Sequence, residues 1–166
     1  MSLRKLKSKT TRREEVLEGI FKAFSEDFKD DFLAEDISVI KAECFKKLYG
    51  IAREQFLQEG NSKKKTEELT GTCLKFVSEF EQICDIEFCF NGYEICILVG
   101  RGMDEKTFQD HLGRTTLASM VFDFTCSIFI DLSPDKSLVE FLKDEEVNGG
   151  LLENLWELHN IRLYGK

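Results

Sequence analysis

The chain of 166 residues holds one proline, one tryptophan and two histidines, and it has no long apolar run. Each scarcity excludes something. A lone Pro134 leaves no proline-rich linker or recognition tract. A membrane span needs roughly 18 consecutive apolar residues, and none occurs. The opening MSLRKLKSKTT carries charge where a secretion signal carries its apolar core, so the expected location is cytoplasmic. In that compartment the six cysteines, Cys44, Cys73, Cys84, Cys89, Cys96 and Cys126, read as reduced thiols.

Ligand and cofactor motifs are equally sparse. Zinc sites pair their cysteines closely, as in C-x2-C, whereas Cys84, Cys89 and Cys96 are separated by four and six residues. The acidic run of Glu26, Asp27, Asp30, Asp31, Glu35 and Asp36 lacks the order of a calcium loop and reads as a solvated face. Gly100-Arg101-Gly102 has too few glycines for a phosphate loop, and no Lys-Ser or Lys-Thr pair follows it. No metal and no cofactor is expected. Catalysis is no better provided, because His111 and His159 are read as exposed helical positions. The one Cys–His pairing to be drawn, Cys126 with His111, places the thiol on an apolar strand face.

What the chain has in excess is phenylalanine, 15 residues against three tyrosines, which supplies large apolar area without a polar handle. Charge is abundant and uneven. Residues 1–13 carry Arg4, Lys5, Lys7, Lys9, Arg12 and Arg13 and no acid, so 17 of the 23 bases remain to face 31 acids elsewhere, or −14. An acidic body disfavours nonspecific nucleic-acid binding and favours a basic partner. Residues 1–12 read as a basic arm, the only part besides Lys63–Lys65 with affinity for an anionic surface, and 13–166 as a single domain.

The clearest local signal is IEFCFNGYEICILV, Ile86 to Val99, in which two alternating runs meet at Asn91-Gly92. A two-residue type I′ turn needs positive φ at both central positions, which Asn and Gly supply at least cost. Phe90 then faces Tyr93, Phe88 faces Ile95 and Ile86 faces Ile97. These six share an apolar face, leaving Glu87, Cys89, Glu94 and Cys96 outward. A second strand runs from Val121 to Leu132, with Phe122, Phe124, Cys126, Ile128, Ile130 and Leu132 on one side. Asp123, Thr125, Ser127 and Asp131 line its polar side, where only Phe129 is out of pattern.

Helices are expected at about 13–33, at 36–58 with Asp36 as N-cap, and from Thr66 through Phe76 and Phe80 to Ile83. A further helix follows Asp104 to Leu112 or beyond. Two more open at Ser133-Pro134 and at Leu151, the last carrying Trp156; residues 161–164 extend it or form a short strand. This order predicts an α+β fold: three N-terminal helices, then a small antiparallel sheet of hairpin 85–99 and strand 121–132, with a connecting helix and two C-terminal helices.

The function expected is a non-catalytic protein-interaction or regulatory domain of adaptor, chaperone-like or inhibitor type, acidic and dimeric, with Phe129 and Trp156 as interface candidates. The alternative is a small-molecule sensor or enzyme with a pocket between sheet and N-terminal helices. Phe88, Ile95, Phe124 and Cys126 would line it, and Arg101 is an anion contact at a loop tip.

Overall fold

A computed structural model describes residues 12–26, 36–76 and 83–166. Among these, seven helices and five strands alternate along the chain: α1 (Arg12–Glu26), α2 (Ile37–Gln58), α3 (Lys63–Cys73), β1 (Leu74–Phe76), β2 (Ile86–Phe90), β3 (Tyr93–Gly102), α4 (Glu105–Val121), β4 (Phe124–Asp131), α5 (Ser137–Lys143), α6 (Glu145–Asn148), α7 (Leu151–His159) and β5 (Ile161–Gly165). The basic residues 1–11 and the last part of the first expected helix, 27–33, lie outside the described residues.

The hairpin forms in the expected register, with Phe90 opposite Tyr93, Phe88 opposite Ile95 and Ile86 opposite Ile97. Asn91 and Gly92 have φ of 51° and 82°, the two positive values that a type I′ turn requires. The sheet around the hairpin is larger than expected, and it is mixed. Strands run in the order β1-β2-β3-β4-β5; β1, β2 and β3 are antiparallel, while β4 lies parallel to β3 and β5 parallel to β4. A parallel neighbour needs a long crossover, and α4 supplies it between β3 and β4, as α5, α6 and α7 do between β4 and β5. The expected small antiparallel sheet is thus corrected to a five-stranded mixed one, with helices interleaved between strands.

Helices cover both faces of this sheet. Ile86, Phe88, Phe90, Ile95, Ile97 and Val99, with Phe124, Cys126, Ile128 and Ile130, pack against Leu17, Ile20, Phe21 and Phe24 of α1 and Ile40, Cys44, Leu48, Ala52 and Phe56 of α2. Each Val, Leu, Ile or Phe side chain fully removed from water contributes about 1.5–3 kcal/mol. On the opposite face Phe129, Ile161 and Leu163 meet Phe108 of α4 and Leu138 and Leu142 of α5. A third cluster joins Cys84, Cys96 and Leu98 to Ala118 of α4.

The expected half-buried strand is therefore buried along its whole length, from Phe124 to Asp131. Its polar side faces α4, not water. For the same reason Cys96, expected outward, is fully buried, while Cys89, outside the reach of α4, is exposed as expected.

Helix ends follow local chemistry. Asp36 caps α2 as expected, accepting the Ser38 backbone N–H at 2.9 Å. α3 starts three residues before the expected Thr66, because Ser62 accepts the Lys65 N–H at 3.2 Å. It stops at Cys73, where the chain turns to pair Leu74 with Phe88, so Leu74–Phe76 is strand rather than helix. This gives β2 a backbone partner on its outer side; residues 77–82 of the expected helix lie outside the described residues.

Ser133-Pro134 does not open a helix. Instead the buried Asp131 carboxylate accepts the Ser133 N–H and hydroxyl on Oδ1, and the N–H groups of Leu138 and Val139 on Oδ2 at 3.1 and 3.3 Å. α5 therefore begins at Ser137, capped from the end of β4. Burial pushes the Asp131 carboxyl up, but these hydrogen bonds outweigh it and hold it below the ordinary value.

Gly100 and Gly102 belong to β3 and not to a flexible turn. A Cβ on Gly100 would lie 2.3 Å from His111 Nδ1, and one on Gly102 would lie 2.0 Å from Thr107 Oγ1. The glycines let α4 approach the strand closely. Gly100→Ala should therefore displace the imidazole and destabilise the fold by about 1–3 kcal/mol, as overpacked sites do; a urea midpoint equal to that of the parent chain would contradict this packing.

Candidate functional site

Three polar side chains come together beneath α4, on the face of β4 that the sequence reading assigned to solvent. His111 Nε2 is 2.6 Å from Ser127 Oγ, and Thr115 Oγ1 is 2.8 Å from the same atom. All three residues are buried, His111 with 4% of its surface exposed. His111 and Thr115 are one helical turn apart, so both project from α4 onto Ser127.

The proton order in this chain follows from donor counting. Thr115 gives its one hydroxyl proton to the His111 carbonyl at 2.8 Å, so toward Ser127 it can only accept. Ser127 then donates to Thr115, and His111 must donate from Nε2 to Ser127. The other ring nitrogen, Nδ1, keeps its lone pair, is buried without a partner and faces Gly100.

A second node joins the two helical layers at the start of β2. Asp85 Oδ1 lies 2.9 Å from Lys41 Nζ of α2 and 3.3 Å from Arg114 of α4, while Oδ2 accepts the Val99 N–H at 2.9 Å. A carboxylate with charge-assisted bonds on both oxygens ties α2, β3 and α4 together.

Chemically, the first node is a poor nucleophile site. A serine activated by histidine must give its proton to the imidazole, whereas here the imidazole is the donor. Burial, with the Arg114 charge as a smaller contributor and Asp85 opposing, lowers the His111 pKa from 6.5 to about 4. Five of the thiols are likewise unactivated: burial pushes Cys44 up to about 12 and Cys73 up to about 11 and raises Cys89 and Cys126, while the neighbouring Cys84 and burial raise Cys96. Cys126 and His111 do not meet, because Cys126 faces α1 and α2 while Ser127, the next residue, faces α4.

The other residues singled out from the sequence are dispersed. Phe88, Ile95, Phe124 and Cys126 lie in the largest hydrophobic cluster, covered by α1 and α2. Arg101 is half-buried on β3, not at a loop tip, and its charge helps to hold the Asp36 carboxyl below its ordinary value, after the Ser38 hydrogen bonds. Phe129 is buried within this chain against Phe108 and His111. Trp156 is half-buried against Phe124 and carries the Arg162 guanidinium 4.1 Å above its ring; Arg162 also pairs with Glu18 of α1.

The described surface has several apolar features, among them a cleft of about 460 Å³ between α1 and α2 lined by Val16, Ile20, Ala23 and Ile51. On α4, Leu117, Met120 and Val121 are 54%, 75% and 61% exposed and share one side of the helix. Along α5 and α6, a groove of about 700 Å³ sets Phe141 and Val147 among Glu140, Asp144, Glu145 and Glu146, with Lys143 as the one base on its wall. Among the described residues no three His, Cys, Asp or Glu side chains converge as metal ligands, and no helix is long and apolar enough to cross a membrane.

No protein-family model, curated protein or solved structure matches the chain.

Ser127, Thr115 and Asp85 were not identified from the sequence. One signal pointed to the first two: Phe129 on an otherwise polar strand face means that this face is covered, and its Ser and Thr then need internal partners.

Neutral His111 makes stability fall in acid. Its folded pKa of about 4 lies below the unfolded 6.5, so the unfolded chain binds the proton first. The stabilisation is complete above about 6.5 and is lost as pH falls toward 4. Between pH 7 and pH 5 this amounts to on the order of 2 kcal/mol. Urea unfolding at the two pH values should show that slope reduced in His111→Gln; equal slopes in both proteins would refute the assignment.

Proposed function

We propose that the chain is a non-catalytic protein-interaction or regulatory domain that forms a homodimer through α4. The observation that carries this reading is the exposed stripe of Leu117, Met120 and Val121. It lies in a segment, Thr115 to Phe122, without a single charged residue, within a chain of net charge −8. Water-exposed apolar area of this kind is costly to leave open, and it marks association surfaces. Its position is also apt, since the buried side of α4 is pinned by His111 and Thr115 and presents the stripe on a rigid helix.

The acidic groove over Phe141 and Val147 gives the domain a second face, suited to a basic partner. Two further facts support a non-catalytic role. The buried Ser127–His111 pair runs its hydrogen bonds in the direction opposite to nucleophile activation, and burial helps to hold five of the cysteines toward the protonated form.

Sedimentation equilibrium of the full chain tests this. The parent chain should sediment as a dimer, and Met120→Glu, which places a charge on an already exposed position, should sediment as a monomer with the circular-dichroism spectrum of the parent. A monomeric parent at all concentrations, or a dimer unaffected by Met120→Glu, would overturn the reading.

A further inference from the structure

The six cysteines offer three pairings by place in the fold: Cys44 and Cys126 share the main core, Cys73 and Cys89 flank the Leu74–Phe88 pair of β1 and β2, and Cys84 and Cys96 share the cluster under α4. The last pair has reciprocal contacts. Cys84 Sγ lies 4.0 Å from the carbonyl oxygen of Ile97, the residue after Cys96, and Cys96 Sγ lies 3.8 Å from that of Ile83, the residue before Cys84. Both side chains sit in the cluster that Ala118 closes, where the Cys84 thiol also donates to the Ile86 carbonyl at 3.0 Å. Cys84 is 5% exposed and Cys96 is fully buried, so an attacking oxidant reaches Cys84 first.

We propose that Cys84 and Cys96 form a redox-active dithiol, which a small hydroperoxide converts to a disulfide that locks the approach to β2 onto β3.

The chemistry balances in two steps. The Cys84 thiolate attacks the hydroperoxide: an S–O bond forms, the O–O bond breaks, and the departing hydroxide or alkoxide leaves as water or alcohol with a proton. Cys84 is then a sulfenic acid. Cys96 attacks its sulfur, the S–S bond forms, and the S–O bond breaks with loss of water, which takes up the Cys96 proton. Two thiols have given two electrons and two protons to one hydroperoxide. The neighbouring Cys84 thiol and burial raise the Cys96 thiol above its ordinary pKa, which disfavours Cys96 as the first nucleophile.

The competing pairs are less suited. Cys73 and Cys84 each donate to a nearby backbone carbonyl, Thr70 at 3.3 Å and Ile86 at 3.0 Å, so that contact does not separate them. Cys89, however, is flanked by Glu87 and Glu94, both of which oppose a thiolate there. Cys44 and Cys126 are closed to solvent. A Cys84–Cys96 bond would enclose Asp85, and would hold in place the carboxylate that joins Lys41 to Arg114.

The test is graded hydrogen peroxide on the folded, reduced full chain, followed by intact mass and peptide mapping without reduction. The first product should have lost the mass of two hydrogens and should map to a Cys84–Cys96 crosslink. In Cys96→Ser the same treatment should stop at a Cys84 sulfenic acid, trapped by a cyclic diketone. Should that variant fail to fold, mapping of the parent chain alone decides. A first crosslink between Cys73 and Cys89, or oxidation to sulfinic acid with no crosslink, would overturn the proposal.

Discussion

Everything in this fold depends on β4 being buried on both faces. A strand with water on one side can alternate apolar and polar residues and leave the polar ones to solvent; β4 alternates but has no solvent side. Its apolar face is satisfied by the α1 and α2 layer. Its other face carries Thr125, Ser127 and Asp131, whose hydrogen-bonding groups incur a desolvation cost of about 1–3 kcal/mol each if left unpaired. Ser127 finds Thr115 and His111, and Asp131 finds the start of α5. Thr125 Oγ1 alone has no partner. The placement of α4 and α5 is thus dictated by polar groups as much as by hydrophobic contact.

The parts of the fold legible in the sequence were those fixed by neighbours a few residues away. The Asn91-Gly92 turn sets the register of five residue pairs without reference to the rest of the chain. The caps at Asp36 and Asp104 are local too, each accepting an N–H two or three residues on. What was not legible depended on partners far along the chain. Whether β4 pairs with β3 in a parallel or an antiparallel sense is decided by the path of α4, and hydrophobic periodicity carries no information on that sense. The glycines at 100 and 102 illustrate the same point, since a pair of glycines reads as a turn until a helix is known to lie against it.

The candidate site was hidden for a related reason. Alternation correctly separated Cys126 from Ser127 and argued against a Cys126–His111 pair, but it left Ser127 to solvent because small polar residues were equated with an open face. Burial inverted the expected properties: His111, taken as exposed, became the most constrained imidazole in the chain, and Cys96, taken as outward, closed a hydrophobic cluster. Both sit under α4. The same helix that seals these groups carries the uncharged stripe of Leu117, Met120 and Val121 on its other side, so structural and surface roles meet on one element.

Amide hydrogen exchange on the full chain under native conditions tests the two-sided burial of β4 most directly. If α4 seals the second face, the amides of Phe124 to Asp131 should exchange last, together with those of central β3 and only through global unfolding, while the edge strand β1 exchanges earlier. Exchange of the Ser127 and Phe129 amides as early as those of β1 would contradict the account, because it would mean that α4 opens away from the sheet and leaves that face to water.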